Sequence, residues 1–593
     1  MNKSKKYLIT TPINELLPKN KNADLVFVSE NIIKKLNLNK ANYKNIFIGN
    51  HNKKNFSYED YKYITELSDR ILINLASKLN KIHNKNYSLR FWKILVGSYA
   101  KFFTTIFFDK WYLIKDSINF SKIDYVNFIK INNSELIAYE MHDFGAVIEN
   151  DYWNQKIYQN VISNIVNKKK IKTAKYNYKK KFYLNKDNIS FFRKIFFLIF
   201  NKLFINKYYK FFIFLPYIGV YSEFKLNFTF KQFPIFFNNI FNLFFFKKKL
   251  ELSKNKINIE LRKILNKDFI YKNQFEKHLF DNLVNEIPTV FVENFDDFKK
   301  INNIINFPQK PKKIFLSNGI IWSSAIAFYV AKHVDSGSKL IVGQHGGTYG
   351  ISKFNWQEDY EIDISDKFIS YGWTNTKNSK KIIKFYYLLK NIEYKKKCTD
   401  INNYVISIIL PVKKNHTPIL ESCVSRSHDS KFFSFIESYL LRIKKEVRKN
   451  FILKFANNNI YNSQIIREYS HHCYKKSFKD VCLNSNLIVH TCNSTSILEA
   501  LNANVPSLIL WNKEVNIIRD DAKKYFDILY NKKILYYDTT KAAKFTESLL
   551  KYGINKWWYS NNVQTAVNAF CRKYARRCSP IKKIKGLNKI IIS

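Results

Sequence analysis

The spacing of apolar positions changes character along the chain, and the changes mark its parts. After Tyr58, Glu59, Asp60 and Tyr61, the residues Ile64, Leu67, Ile71, Leu72, Leu75 and Leu79 keep helical spacing. A second helix is predicted over 91–108, and residues 55–165 read as mostly helical. Residues 167–186 are polar and Lys-rich, a surface connection into a stretch, 191–246, dense in Phe, Ile and Tyr. From about residue 287 short apolar runs at 289–292, 313–316 and 339–342 alternate with helical stretches such as 323–333, the rhythm of a doubly wound parallel sheet. That rhythm restarts after the charged stretch 390–400, with strands predicted over 404–410, 451–455, 487–490 and 507–510 and helices over 432–449 and 496–501. The expected architecture is α/β, two Rossmann-like domains facing a cleft. The N-terminal domain is placed at 1–395, with a helical and aromatic-rich elaboration at about 168–286, and the C-terminal domain at 396–593.

In such sheets ligands bind beyond the carboxyl ends of the strands, where helix N-termini offer free N–H groups to phosphate. Two loops at those ends carry the distinctive residues. The first, 341–350, reads Ile-Val-Gly-Gln-His-Gly-Gly-Thr-Tyr-Gly and holds four of the chain's 13 glycines. Glycine permits close backbone approach to a ligand, so Gly346 and Gly347 are assigned to a small or anionic group. His345, at the loop's centre, can donate to a phosphate or act as acid or base. Downstream, Glu358, Asp359, Glu361, Asp363 and Asp366 form an acidic cluster from which Glu361 and Asp363 are taken as catalytic carboxylates. The competing reading is a tight turn with a structural histidine and a solvated acidic face.

The second loop runs from the strand ending at His490 through Thr491, Cys492 and Asn493 to Ser494, Thr495 and Ser496, and then into a helix containing Glu499. Its hydroxyls can cap that helix and bond phosphate oxygens, Glu499 can accept ribose hydroxyls, and Arg519 can neutralise a phosphate or diphosphate. A simple helix cap is the alternative. His490 is placed with the same donor group.

Composition narrows the classes. The chain has 593 residues, 46% hydrophobic and 25% charged, so it is a folded multidomain protein. Lys and Arg number 99 against 47 Asp and Glu, a net charge of +52. With Lys, Asn, Ile, Tyr and Phe inflated together, much of that charge reads as drift from an AT-rich coding sequence, and no nucleic-acid partner is expected. Seven scattered cysteines show no disulfide framework, and the N-terminus lacks a signal-peptide core, so a cytoplasmic protein is expected. Within 191–246 the charge-free runs 211–222 and 232–246 are too short to span a bilayer, yet lysines border them, including Lys247, Lys248 and Lys249. This region is therefore read as a peripheral contact with an anionic membrane surface, or else as core.

His471, His472, Cys473, Cys482, His490 and Cys492 lack metal-site spacing, so no metal is expected. No phosphate-binding P-loop, nucleophile elbow or dinucleotide fingerprint is present.

Several segments in order resemble a family of bacterial surface-polysaccharide transferases first recognised in leptospiral proteins, of predicted GT-B type. They are Leu8-Ile9-Thr10-Thr11, Ser88-Leu89-Arg90-Phe91-Trp92-Lys93-Ile94-Leu95-Val96-Gly97, Phe108-Asp109-Lys110-Trp111 and Asp151-Tyr152-Trp153-Asn154, followed by the glycine loop, Tyr371-Gly372-Trp373, the hydroxyl turn and Trp557-Trp558. Ser98-Tyr99 stands where Pro-Trp is usual, and Lys110 where Arg is usual. The resemblance implies a GT-B-like fold and metal-independent glycosyl transfer from a nucleotide-sugar, a co-substrate instead of a bound cofactor, to a glycan or lipid-linked acceptor. More distantly the loops are similar to those of capsule Kdo transferases and teichoic-acid glycerophosphotransferases, which implies CMP or CDP donors beside UDP and GDP sugars. Polyol-phosphate transfer, or a non-enzymatic basic RNA- or membrane-binding protein, are the alternatives.

Overall fold

Three five-stranded parallel sheets follow one another along the chain. The computed structural model describes residues 4–593 apart from 37, 39–42, 44, 49–55, 132–135, 175–208, 233–256, 305–306, 376–377, 390–391, 395–403, 412–415, 417, 424–429 and 456–476. The first sheet has the order β3-β2-β1-β4-β5, built from β1 (Lys6–Ile9), β2 (Asp24–Phe27), β3 (Asn45–Ile48), β4 (Tyr125–Ile129) and β5 (Ile171–Ala174). This sheet was not predicted. Its strands are four or five residues long, apolar runs too short for period alone to tell strand from helix.

The helices of this part follow the apolar spacing. Helix α1 (Tyr58–His83) opens with a capping box between Ser57 and Asp60 and buries all six predicted apolar residues. Helix α2 (Leu89–Phe120), capped by the Ser88 side chain, is buried on nearly every side from Phe91 to Ile114. It is a central pillar, and such burial explains its continuous hydrophobicity. Helix α3 (Asp151–Ile165) is capped by Asn150 and packs against it.

The middle sheet has the order β10-β9-β8-β7-β6. Its edge strand β6 (Phe211–Phe214) buries Phe212, Ile213 and Phe214 against its neighbour, so this part of the aromatic stretch is core. Helix α4 (Val220–Thr229) follows, while 244–249, to which membrane contact was also assigned, lie outside the described residues. After α5 (Gln274–Glu286) the run 289–292, expected as a strand, forms a 3-10 turn at Thr289–Phe291. The Thr289 and Val290 amides donate to the Ala138 and Tyr139 carbonyls instead of to a sheet. The sheet continues through β7 (Lys313–Leu316), α6 (Ser324–Asp335), β8 (Lys339–Gly343), α7 (Trp356–Ile364), β9 (Lys367–Ser370) and β10 (Ile382–Lys384).

The third sheet has the order β12-β11-β13-β14-β15. Its elements are β11 (Ile406–Leu410), α8 (Ser430–Arg442), β12 (Phe451–Phe455), β13 (Leu487–His490), α9 (Thr495–Asn502), β14 (Ser507–Leu510), α10 (Asp520–Asn531) and β15 (Leu535–Tyr536). Three of these strands coincide with the predicted ranges; the helix expected over 432–449 is divided into α8 and a separate four-residue helix at Lys445–Arg448. Helix α11 (Asn561–Tyr574) packs on this unit, and the chain then returns to the middle one. The Arg576 amide donates to the Tyr371 carbonyl at 3.1 Å, and the Tyr387 amide donates to the Arg576 carbonyl at 2.9 Å. Helix α12 (Pro580–Ile592) is fixed there by Lys583, whose buried ammonium donates to the Leu388 and Leu389 carbonyls. Two Rossmann-like units face each other, the tail of one returning to the other. The fold is α/β and GT-B-like, and residues 6–174 add a further sheet to it.

Candidate active site

The glycine loop leaves β8 at the carboxyl end of the middle sheet and is braced from beneath by Gln344. This buried side chain accepts from the Tyr371 amide (2.9 Å) and Trp373 Nε1 (2.7 Å) through Oε1 and donates to the Gly346 carbonyl (2.8 Å) through Nε2. Gly347 then meets the opposite unit. Its amide donates to Thr495 Oγ1 at 3.1 Å, and a Cβ on it would fall 2.4 Å from the Ser494 carbonyl carbon and the Thr495 nitrogen. Only a residue without a side chain allows this approach. At Gly350, φ is +74° and a Cβ would strike the Trp373 ring at 2.4 Å.

Helix α7 presents the chemistry beside this loop. Its cap, Asn355, accepts from the Gln357 and Glu358 amides and donates through Nδ2 to Thr348 Oγ1, so loop and helix are tied at one residue. The Tyr360 hydroxyl donates to the Lys93 and Ile94 carbonyls of α2, and Gly97 admits the Tyr360 ring, which fixes α7 on the pillar. Gln357 Nε2 donates to His345 Nε2 (3.1 Å) and to Glu361 Oε1 (3.3 Å), while the Tyr349 hydroxyl donates to Glu361 Oε2 (3.0 Å). His345 Nδ1 lies 3.7 Å from Glu361 Oε1. Accepting at Nε2 leaves the imidazole proton on Nδ1, facing the carboxyl.

Burial sets the charges here. It lowers His345 to about 4 and raises Glu361 to about 8, although the Tyr349 and Gln357 hydrogen bonds oppose the latter. At neutral pH the pair therefore consists of a neutral imidazole and a protonated carboxyl. His345 suits a base better than a cationic phosphate ligand.

Across the cleft, Ser494 is the N-cap of α9 in extended conformation, but its hydroxyl does not cap the helix. Ser494 Oγ instead bonds Ser496 Oγ at 2.7 Å, and Ser496 Oγ meets His490 Nδ1 at 3.2 Å. His490 Nε2 is buried without a partner among the described residues, and burial lowers this histidine to about 3. The first turn of α9 thus keeps amide donors that no side chain caps. One turn further, burial raises Glu499 to about 7. The Glu499 charge reinforces the burial that raises Tyr371 and Tyr387, whose hydroxyls are buried without partners among the described residues.

The structure gathers His345, Gly346, Gly347, Glu361, Ser494, Thr495 and Ser496 at one junction, with His490 and Glu499 beside them. Two assigned residues stand apart. Asp363 is half-exposed on the outer side of α7, ion-paired with Lys93, because the helix turns it away from Glu361. Arg519, expected to neutralise phosphate, is committed elsewhere: Nη2 donates to both Glu358 oxygens (3.0 and 3.1 Å) and Nε to the Ser352 carbonyl. Glu358, buried and raised to about 7, also accepts from the Gly350 amide, so this pair braces the loop. Gln344, Gln357 and Tyr387 escaped the sequence reading, although Gln344 lies inside the glycine loop, and Tyr371 entered it only as part of the Tyr371-Gly372-Trp373 segment. Among the described residues no group of three His, Cys, Asp or Glu could hold a metal ion, and His471, His472 and Cys473 lie outside them.

Residues 6–585 match the model of the LIC12162 family transferases, and the chain belongs to that family. None of the curated proteins matches it in sequence. Among solved structures it is similar to a protein described as a UDP-N-acetylglucosamine 2-epimerase from Listeria monocytogenes, at 12% identity and a TM-score of 0.28 over 46% of this chain and 74% of that one. It is also similar to the spinosyn forosaminyltransferase SpnP, at 10% identity and a TM-score of 0.24 over 48% and 76%.

Proposed function

We propose that this LIC12162 family transferase moves a sugar from a nucleotide-activated donor onto a glycan or lipid-linked acceptor of the cell surface. The observation that carries the reading is the contact of Gly347 with Thr495, which brings together the carboxyl-end loops of two facing parallel sheets. The donor phosphate sits on the uncapped first turn of α9, held by the Ser494, Thr495 and Ser496 hydroxyls and by the backbone amide of Gly346, while the Gly347 amide stays on Thr495 Oγ1. The positive end of the helix stabilises the departing phosphate, in a metal-independent GT-B reaction. His490, neutral and buried, orients Ser496. Glu499 accepts ribose hydroxyls.

On the acceptor side, His345 Nε2 takes the proton from the attacking hydroxyl, which replaces the Gln357 amide there. Burial keeps it unprotonated at neutral pH, at the cost of basicity, since a base works best with a pKa near the operating pH. Glu361, protonated, adds no negative charge next to an arriving phosphate. Asp363 and Arg519 have no part in this scheme. The protein works in the cytoplasm, and the nucleotide-sugar is consumed as a substrate without a further cofactor.

Thermal denaturation with CMP, CDP, UDP and GDP tests the reading. A nucleotide at 100 times its Kd should add about 2.7 kcal/mol. No stabilisation by any of the four would contradict it.

A further inference from the structure

Helix α4 is amphipathic in the wrong sense for a surface helix. It packs inward with Ser222, Leu226 and Asn227, while Val220, Tyr221, Phe224 and Phe228 are 70%, 62%, 47% and 75% exposed. At about 100° per residue these four apolar side chains occupy a single arc of about 100°. Phe224 and Phe228 stack with ring centroids 6.4 Å apart, and Lys225 Nζ flanks the arc, 4.5 Å from the Tyr221 ring. An isolated exposed aromatic needs no explanation, but a continuous stripe of them on one helix does.

The neighbour of α4 is α12, and it repeats the pattern in basic form. Its inner side carries Lys583, Ile584, Leu587 and Ile591, whereas Ile581, Lys582, Lys585, Lys589 and Ile592 are exposed. The helix contains no acidic residue, and the one acid of α4, Glu223, is half-buried and raised to about 7 by burial. Two packed helices thus show solvent a face of aromatic and aliphatic groups with lysines and almost no opposing charge. This chemistry fits an anionic bilayer interface, where apolar groups enter the head-group boundary and lysine stems reach phosphate. No described helix is long and apolar enough to cross a membrane.

The face also adjoins the candidate site. Tyr217, just before α4, lies with its ring 6.2 Å from that of His345, and the Pro216 carbonyl accepts from Ser317 Oγ at 3.1 Å. We propose that the outward faces of α4 and α12 form a docking surface for an anionic lipid bilayer, which holds the acceptor side of the cleft against the membrane and selects a lipid-linked acceptor. The choice of acceptor rests on the transferase reading; the binding of lipid does not.

Sedimentation of the full chain with vesicles of phosphatidylcholine, with and without phosphatidylglycerol, tests this. The protein should pellet with the anionic vesicles and be partly released by salt. Each lysine contributes about fivefold to such binding, so Lys582→Glu, Lys585→Glu and Lys589→Glu together should weaken it on the order of 100-fold. Phe224→Ser with Phe228→Ser should abolish the binding that survives high salt. Both variants should keep the wild-type melting temperature and nucleotide response, which separates a lost surface from a lost fold. Equal binding to both vesicle types, no binding by the wild type, unchanged binding by both variants, or a dimer that the Phe variant dissolves would each overturn the proposal. A transferase reading that failed would instead show as a missing nucleotide response with vesicle binding intact.

Discussion

The Gly347 amide donates to Thr495 Oγ1, and so joins two loops 148 residues apart in sequence. Because a Cβ at 347 would overlap backbone atoms of Ser494 and Thr495, neither partner can yield by turning a side chain. Gly347→Ala should therefore push the loops apart, with an overpacking cost of about 1–3 kcal/mol. Thermal denaturation should register that loss, and nucleotide titration should show weaker binding in the folded variant. A variant as stable and as tightly binding as the wild type would mean that the two loops are not in contact in solution.

His345→Ala should lower kcat by about 10²–10⁴ if the imidazole is the base. Since His345 titrates near 4, the rate should stay level between pH 5.5 and 6.5 and fall only under more acidic conditions. A pH–rate profile with an acid limb centred near 6.5 would show an unburied histidine and contradict this arrangement.

Glu361 makes stability depend on pH in the opposite direction to an ion-paired carboxylate. Its folded pKa of about 8 exceeds its ordinary 4.5, so its contribution is complete below 4.5 and is lost as pH rises toward 8. The loss is about 1.4 kcal/mol for each unit crossed. Denaturation of Glu361→Gln across pH 5–8 should show a smaller decline than the wild type; parallel curves would place the titration on another group.

Arg519→Ala should cost about 3–5 kcal/mol, because it strands the buried Glu358 carboxylate. The double variant Arg519→Gln with Glu358→Gln should recover part of that loss. Since Arg519 is turned to Glu358, nucleotide affinity measured on the folded variant should change little; a loss above tenfold would return Arg519 to the phosphate.

The candidate site's elements were legible in sequence where chemistry and chain order coincide. The strand at 487–490, the hydroxyl turn and its helix lie in series, so β13 and α9 could be read from a continuous window. The glycine loop was visible because glycine is scarce in this chain. The pairing of Arg519 with Glu358 was not legible because the two lie 161 residues apart, and no local pattern marks such a pair. Asp363 was grouped with Glu361 by proximity in sequence, although two residues along a helix turn side chains to different faces. The first sheet stayed hidden because its strands are short apolar runs of four or five residues, too brief for period to mark. Among the described aromatics of 191–246, burial separates β6 from the exposed stripe of α4, a division that composition cannot make.

The central claim is that the donor nucleotide rests on the first turn of α9. Calorimetric titration of whichever of CMP, CDP, UDP or GDP stabilises the protein, into wild type and into Ser494→Ala with Thr495→Ala, addresses it directly. The folded double variant should bind more weakly by about 1–3 kcal/mol, the range for hydrogen bonds to charged groups. An unchanged Kd would place the nucleotide elsewhere and leave the turn as a contact between two domains.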